Sequence, residues 1–337
     1  MFPGQSSQEA GMGEQAYSSD DEAKRIFEIG SEVIGEDLAE ICFGSETEKL
    51  QTHLVQPAII ASELANYQVL RRQGLKPELL MGHSLGEIAT LGACDSLSTE
   101  DVFKITKVRA DVTERSSRSH PGVMAAIVGL TNEQVSRVLT AANAGLKRMG
   151  KSPAAYMANR NWRLEQVLSG HEDAISQVKK GVDALKASKV VERAGVIMLK
   201  VPGAFHSPHN QEGVEELKEA FQSAQKRFPR VMLLNNRGEY MVDPALYADY
   251  YSGQLVNGVE WDLMMHRAAI DGIRKFKEIT LSDEPKKATL SNLVVKEFPK
   301  SEIVDSEFGR MVRLAWVPKD SKYMQNRIDA LTSLQTG

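Results

Sequence analysis

The sequence predicts an α/β protein in which a small ferredoxin-like unit is inserted into a larger α/β domain. The first observation is a short apolar run at residues 79–81, which is followed directly by Gly82-His-Ser-Leu-Gly86 and then by a helical pattern. The second is that residues 123–201 follow the order βαββαβ of a ferredoxin-like fold. Proline and glycine at 121–122 and 202–203 predict hinges at both ends of that segment.

Composition limits the class of protein. The 337 residues are 42% hydrophobic and 26% charged, which suffices for one large core with a second, smaller unit. A net charge of −4 gives no reason to expect direct nucleic-acid binding or an anionic membrane surface. Cys42 and Cys94 lie far apart, so we expect neither a disulfide framework nor a metal site. No apolar run approaches ~18 residues and no signal or transit peptide is visible, so we expect no membrane span.

The elements before the insertion follow from local patterns. Residues 2–5 are predicted to be the end of a strand whose earlier part is missing, followed by a loop. Helical periodicity predicts helices over 19–40, 56–73 and 99–116, and Pro57 is expected in the first turn of the second.

The insertion and the segments after it are predicted in the same way. Thr131 and Gln134 predict a capping box at the first helix of the insertion. The predicted elements, in chain order, are strand 123–130, helix 131–150, strands 155–159 and 166–169, helix 171–190, strand 195–201, helix 212–226, strand 230–235, helices 247–255 and 261–271, a loop at 280–287, a strand at 311–316 and a terminal helix. The predicted domains are a discontinuous core of residues 1–122 and 202–300, a small domain of residues 123–201, and a divergent C-terminal tail of residues 301–337.

Ser84 is the candidate nucleophile. A G-x-S-x-G turn between a strand and a helix needs small residues beside the serine and pushes its Oγ out above the sheet. The N–H of Leu85 and the start of the helix would then face a developing oxyanion. The alternative is a glycine-rich turn with an idle serine.

His206 is the candidate base, because it lies in a loop after a predicted strand, where a side chain can reach across a cleft. A lone loop histidine is also compatible with a structural role. His83 flanks the serine and is expected to point away from it. The other histidines are predicted to lie on the surface: His53, His120, His171, His209 and His266.

Motifs in a fixed order give these candidates a context. They are Phe2-Pro-Gly-Gln5, Gln56-Pro-Ala58, Gly82-His-Ser-Leu-Gly-Glu87, Val108-Arg109, Ala204-Phe-His-Ser-Pro208 and Gln254-Leu-Val-Asn-Gly-Val-Glu-Trp261. Together they resemble malonyl-CoA:acyl-carrier-protein transacylase, the family that includes the acyltransferase domains of polyketide synthases, from residue 2 to about 278. The resemblance implies an α/β-hydrolase-like large domain with an inserted ferredoxin-like small domain.

The resemblance also implies a reaction and its residues. Ser84 is expected to be acylated by malonyl-CoA and to pass the malonyl group to the pantetheine thiol of acyl carrier protein, in type II fatty-acid synthesis. His206 is the implied base, oriented by the backbone carbonyl of Gln254. The backbone N–H groups of Gln5 and Leu85 are the implied oxyanion hole. No bound cofactor is expected, since the phosphopantetheine belongs to the partner.

Four further residues are implied to bind substrate. Arg109 would pair with the free malonyl carboxylate, because a guanidinium binds a carboxylate bidentately; without the resemblance, its position favours a helix-surface arginine. Phe205 would crowd a 2-methyl group and so favour malonyl over methylmalonyl. Asn159 and Asn161 fit positions near the pantetheine arm, in a stretch one residue longer than the family pattern.

The chain departs from the family pattern in several places. Ser6 replaces a glycine, residues 281–287 replace a glycine-rich turn, and the tail after 300 has no counterpart. Two alternatives stay open beside the acyltransferase. A serine thioesterase or esterase would explain Ser84 and His206, but neither Arg109 nor the insertion. A carrier-protein-docking or structural subunit of a larger assembly, with weak or no activity, would explain the altered loop and tail.

The sequence also predicts a docking surface for the carrier protein and a cellular compartment. Acyl carrier proteins are acidic, so we expect a local basic patch, although each of its residues alone also fits a solvated face. The patch consists of Lys147, Arg148, Lys151, Arg160 and Arg163. The divergent start and tail favour a mitochondrial matrix location, with a bacterial cytoplasm or a plastid as alternatives.

Overall fold

The structure is a computed structural model that describes residues 1–44, 52–151, 154–282, 289–298, 302–304 and 312–316. The chain forms two compact units. The first unit consists of Met1–Lys107, Ala224–Pro244 and Asp262–Gly337, and the second unit consists of Val108–Ser223 and Ala245–Trp261. Residues 123–201, the predicted small domain, lie within the second unit.

The described helices and strands are numbered in chain order. The helices are α1 Glu14–Ser19, α2 Asp21–Ile34, α3 Leu38–Phe43, α4 Thr52–Arg72, α5 Gly86–Ala93, α6 Thr99–Ser119, α7 Asn132–Arg148, α8 Glu172–Ala187, α9 Val214–Ser223, α10 Tyr247–Gly253, α11 Trp261–Ile270 and α12 Thr289–Glu297. The strands are β1 Leu79–Met81, β2 Val123–Val128, β3 Ala155–Trp162, β4 Glu165–Gly170, β5 Gly195–Met198, β6 Met232–Leu234, β7 Val259–Glu260, β8 Lys275–Ile279, β9 Glu302–Val304 and β10 Val312–Trp316.

A parallel pair of strands carries the predicted nucleophile turn in the first unit. β1 pairs with β6 from Leu79↔Met232 to Met81↔Leu234. Phe2 extends this arrangement through a parallel bridge to Gly82, as expected for the end of a strand. The loop that starts at Phe2 therefore runs beside the turn that follows β1.

The first unit also contains a three-stranded antiparallel sheet in the order β8-β10-β9. The sequence pattern predicted neither β8 nor α12. In β8, Glu278 interrupts the apolar pattern of the strand. This buried carboxylate accepts the main-chain N–H groups of Leu290 and Ser291, at 3.0 and 2.6 Å, and so serves the start of α12. Burial raises the pKa of Glu278. The strand predicted near the C-terminus is confirmed as β10, whereas the predicted terminal helix lies outside the described residues.

The second unit confirms the ferredoxin-like arrangement. Its sheet has the order β5-β2-β4-β3-β7, in which β7 adds to β3 in parallel and the other neighbours are antiparallel. Thr131 and Gln134 form the predicted capping box of α7. Buried apolar residues of α7 and α8 pack on one face of the sheet. The opposite face has a smaller apolar cluster of Met124, Ala126, Ala158 and Val167, against which Leu199, Val201 and Phe205 pack.

Two predicted helices differ from those observed. The helix predicted over 19–40 is broken into α2 and α3 by Gly35, which adopts φ +88°. Asp37 then caps α3 through its side chain. Pro57 does not lie in the first turn of its helix, because α4 already includes Thr52. A proline inside a helix removes one N–H donor and crowds the carbonyl four residues before it, and burial of the residues around Pro57 stabilises the helix against this cost.

Neither a membrane-spanning helix nor a metal-binding cluster is found in the part of the chain that the structure describes. No helix there is long and apolar enough to cross a membrane. Those residues also contain no group of three or more histidine, cysteine, aspartate or glutamate side chains that could hold a metal ion.

Candidate active site

Ser84 lies in a strained, closely packed turn between β1 and α5. Its φ is +54°, in the left-handed region that costs a residue with a Cβ about 1–3 kcal/mol. A Cβ added to Gly82 would lie 2.1 Å from the carbonyl carbon of Gly86, and one added to Gly86 would lie 2.2 Å from Phe2 O. Only glycine fits either position, so the sharp turn requires both glycines of the motif. This is the geometry of a nucleophile elbow.

Of the two residues predicted to form the oxyanion hole, Leu85 lies in this turn and Gln5 lies in the loop that passes against it. Leu85 is buried and precedes the first residue of α5, where main-chain N–H groups have no helical partner. Gln5 is half-buried in the loop after Phe2. A Cβ on Gly4 would lie 2.6 Å from His83 O, so this loop passes directly against the turn. Ser6 has φ +83°, a conformation that suits the glycine it replaces.

The buried carboxylate of Glu87, which was not predicted as a functional residue, holds the start of α5 in place. Glu87 is 1% exposed and accepts the main-chain N–H of Asn236 at 2.7 Å, together with its side-chain amide. Asn236 follows β6, so this contact holds the nucleophile turn against the neighbouring strand. The acidic residue at the first turn of a helix was the available signal.

His206 is buried in the second unit with its ring held by two carbonyl groups. Nδ1 lies 3.0 Å from Gln254 O, the acceptor that was predicted, and 3.0 Å from Asn257 O, which was not. Carbonyl oxygens only accept hydrogen bonds, so Nδ1 carries the proton. In the neutral ring Nε2 is then the basic nitrogen, which is the form a general base needs.

The loop around His206 is fixed by its own side chains. His206 has φ +55°, another left-handed residue. Ala204 O accepts hydrogen bonds from Ser207 Oγ at 2.6 Å and from Asn210 Nδ2 at 2.9 Å. Both donors are buried, so the strained conformation is held in place.

Arg109 is a buried arginine, which excludes the helix-surface alternative. It is 5% exposed, and its Nε and Nη2 donate to Gln254 Oε1 at 3.2 and 3.1 Å. By contrast, the side chains of Arg115 and Arg118 on the same helix are 54% and 73% exposed, and both form ion pairs. Burying a guanidinium is costly unless acceptors surround it, so a buried arginine indicates recognition of an anion or a structural network.

The other predicted substrate residues lie on or beside the sheet of the second unit. Phe205 packs on the smaller apolar cluster. Asn159 Oδ1 is buried and has no hydrogen-bond partner among the described residues, so it is a candidate acceptor for a ligand N–H. Asn161 instead donates to Glu165 Oε1 at 3.0 Å. β3 has two irregularities in its register with β4, which accommodate its extra length.

Ion pairs offset the positive charge of some residues in the predicted basic patch. Lys151 pairs with Asp173 and Arg160 with Glu260, at 2.5 and 3.5 Å. Lys147 and Arg148 are exposed in the last turn of α7 and have no ion-pair partner within the described ranges. Arg163 is exposed and lies 6.0 Å from the ring of Trp162.

One histidine was placed incorrectly from the sequence. His266 is not a surface residue but is 3% exposed, and its Nε2 lies 2.6 Å from Glu297 Oε1. Glu297 belongs to α12, the helix that the sequence pattern did not predict, so the buried pair could not be foreseen. His209 is also half-buried, with its ring 4.7 Å from that of His171.

Comparison with known proteins places the chain in a family. The model of the acyl transferase domain family matches residues 1–282. A malonyl CoA-acyl carrier protein transacylase from Staphylococcus aureus is 30% identical over 269 residues, covering 77% of this chain and 83% of the relative. The Bacillus subtilis protein of that name is 28% identical over 284 residues, covering 83% and 85%.

A solved structure gives the same result. The crystal structure of a malonyl-CoA:acyl carrier protein transacylase from Xanthomonas oryzae matches with a TM-score of 0.75 and 28% identity, over 87% of this chain and 88% of that one. The predicted fold class is thereby confirmed, with an α/β-hydrolase-like large domain and a ferredoxin-like small domain. The chain belongs to the acyltransferase family, within its malonyl-CoA:acyl-carrier-protein transacylase group.

Proposed function

We propose that this chain transfers the malonyl group of malonyl-CoA to the pantetheine thiol of an acyl carrier protein, through a malonyl ester on Ser84. One observation carries the proposal: a single residue, Gln254, binds both a buried arginine suited to a carboxylate and a histidine in the basic tautomer. A hydrolase acting on uncharged esters has no substrate carboxylate for the buried guanidinium of Arg109 to bind.

The first half-reaction acylates the serine. Ser84 Oγ attacks the thioester carbonyl carbon while His206 Nε2 accepts the hydroxyl proton. The tetrahedral oxyanion is stabilised by the backbone N–H groups of Gln5 and Leu85. Collapse of the intermediate breaks the C–S bond, and the sulfur of coenzyme A leaves with the proton that His206 returns.

The second half-reaction reverses these roles. His206 takes the proton of the incoming pantetheine thiol, and the thiolate attacks the ester carbonyl on Ser84. The C–O bond breaks, Ser84 recovers its proton from His206, and the malonyl thioester stays on the carrier protein. Acyl transfer of this kind requires no resident cofactor.

Substrate selection follows from burial. The malonyl carboxylate would pair with Arg109, whereas an acetyl group would leave the guanidinium without that partner in a buried setting. Asn159 Oδ1 would accept a pantetheine amide N–H. The ring of Phe205 would crowd a 2-methyl substituent, worth only ~1–3 kcal/mol of discrimination. Asn161 is engaged with Glu165, which favours a positioning role over direct contact.

The test is incubation with isotope-labelled malonyl-CoA, with mass measurement of the intact protein and of added holo carrier protein. We expect label on Ser84 and then on the carrier thiol, and Ser84→Ala should lower transfer by about 10⁴-fold or more. Burial raises the pKa of Cys42 and Cys94 to about 12, so these thiols should not compete for the acyl group.

Two outcomes would contradict the proposal. Release of free malonate without carrier labelling would indicate a thioesterase. Binding of the carrier protein with no acyl adduct on the wild-type chain would indicate a docking subunit of a larger assembly, as the altered residues 281–287 and the tail suggest.

We also propose the mitochondrial matrix as the compartment, on the divergent sequence beyond residue 300 alone. Fractionation of the source cells followed by immunodetection tests this. Enrichment in a bacterial cytoplasm or a plastid fraction would contradict it.

A further inference from the structure

Gln254 makes two different contacts with two different atoms. Its main-chain oxygen accepts the Nδ1–H of His206 at 3.0 Å. Its side-chain Oε1 accepts from Nε and Nη2 of Arg109 at 3.2 and 3.1 Å. The residue follows the last turn of α10 and is 3% exposed, so both contacts are shielded from water.

We propose that the side-chain amide of Gln254 is a positioning group that sets the preference for malonyl over acetyl substrates, by orienting Arg109 without cancelling its charge. This inference rests on the proposed function and goes beyond the expected role of Gln254, which involves only its backbone carbonyl.

Geometry supplies the first reason. A guanidinium is planar and presents its five N–H groups in fixed directions. Because Oε1 occupies the edge formed by Nε and Nη2, the plane of the group and the direction of its Nη1–Nη2 end are fixed. A carboxylate that binds bidentately would meet that end.

Charge supplies the second reason. An amide oxygen accepts the hydrogen bonds of Arg109 but carries no net charge, so this contact does not cancel the charge that attracts a substrate anion. A carboxylate at the same position would form a permanent ion pair, and in a buried setting this would greatly weaken the attraction for a second anion. Glutamine and glutamate have nearly the same shape, so one substitution adds a charge and removes the amide donor with little change in packing.

The two contacts can be tested separately. His206 is held by main-chain oxygens, which any residue at position 254 supplies. Replacing the amide by an uncharged side chain, as in Gln254→Leu, should therefore alter substrate preference while the pH dependence of acylation, which reports on His206, keeps its midpoint.

The experiment compares Gln254→Glu and Gln254→Leu with the wild-type chain, using kcat/KM for malonyl-CoA and for acetyl-CoA at several pH values. For Gln254→Glu we expect the malonyl-to-acetyl ratio to fall roughly 10- to 100-fold, the range for hydrogen bonds to charged groups. For Gln254→Leu we expect a smaller fall, mainly through a higher KM for malonyl-CoA, since the charge remains but its orientation is lost.

The control is Gln222→Glu, the same chemical change at an exposed site of the second unit, which should leave the ratio unchanged. Thermal unfolding of each variant checks folding, and the isosteric Gln254→Glu decides the matter if Gln254→Leu does not fold. An unchanged ratio in Gln254→Glu would overturn the inference. So would an equal loss with both substrates accompanied by a shifted pH midpoint, because that is the signature of a role through His206.

The wild-type chain separates this inference from the proposed function. If it forms no malonyl-Ser84, the proposed function fails and the inference with it. If it forms the adduct and Gln254→Glu keeps the wild-type preference, only the inference fails.

Discussion

Ser84 and His206 have nearly the same unusual backbone conformation, at φ +54° and +55°, but different interactions hold them there. The serine is confined by main-chain packing, since Gly82 and Gly86 approach each other too closely for any Cβ. The histidine is confined by side chains, since Ser207 and Asn210 both donate to Ala204 O.

This difference implies different sensitivity to mutation. A close main-chain contact cannot relax when an atom is added, so one added Cβ at either glycine should disrupt the turn around Ser84. Hydrogen bonds contribute about 1 kcal/mol each, so the histidine loop should weaken step by step as donors are removed. Close main-chain packing thus holds the conformation of Ser84 in the first unit, and side-chain hydrogen bonds hold that of His206 in the second unit.

Gly82→Ala is the strongest test of the first half of this comparison. The new Cβ would lie 2.1 Å from a main-chain carbon, so we expect a loss of more than about 3 kcal/mol in the free energy of unfolding, measured with urea. The control is Gly145→Ala in α7, where an added Cβ meets nothing within 4 Å and the helix should gain about 0.5–1 kcal/mol. Equal stability of the two variants would show that the turn can relax.

Arg109→Ala tests the buried contact between Arg109 and Gln254 in the second unit through activity. We expect malonyl transfer to fall about 100-fold or more while acetyl transfer is retained or rises, because the variant lacks the guanidinium that a malonyl carboxylate can bind and an acetyl group cannot. The control is Arg115→Ala on the same helix, which removes an exposed ion pair worth under about 1 kcal/mol. If both substrates lose the same factor, Arg109 supports the fold and not the choice of substrate.

The same contrast explains what the sequence could predict. The turn around Ser84 is local: a strand, two glycines and a helix lie within about fifteen residues, so pattern alone indicated a nucleophile. The surroundings of His206 come from segments near positions 109, 206 and 254, which no local pattern connects. Family resemblance identified those residues, but not the second carbonyl from Asn257 or the side-chain contact of Gln254.

Buried charged residues explain two of the elements that were missed, β8 and α12. β8 contains Glu278 and α12 ends with Glu297, and both carboxylates are buried against partners distant in sequence. A charged residue normally indicates a solvated position, so the apolar pattern was lost there. His266 was placed on the surface for the same reason.

The smallest expected effect concerns the basic patch of the second unit, which should act on the second half-reaction alone. Arg148 and Arg163 are both exposed, so they are the positions for charge reversal. We expect the double change of Arg148 and Arg163 to Glu to slow transfer to the carrier protein several-fold at low salt, because steering acts on the association rate.

The acylation of Ser84 by malonyl-CoA should change much less, and the difference from wild type should shrink at high salt as the charges are screened. Stopped-flow measurement of each half-reaction at two salt concentrations provides the comparison. Reversing Lys179 and Lys180, which are exposed on α8, gives the same change in net charge at another place and should have little effect. If that control slows the carrier step equally, the carrier protein responds to the overall charge of the second unit and not to this patch.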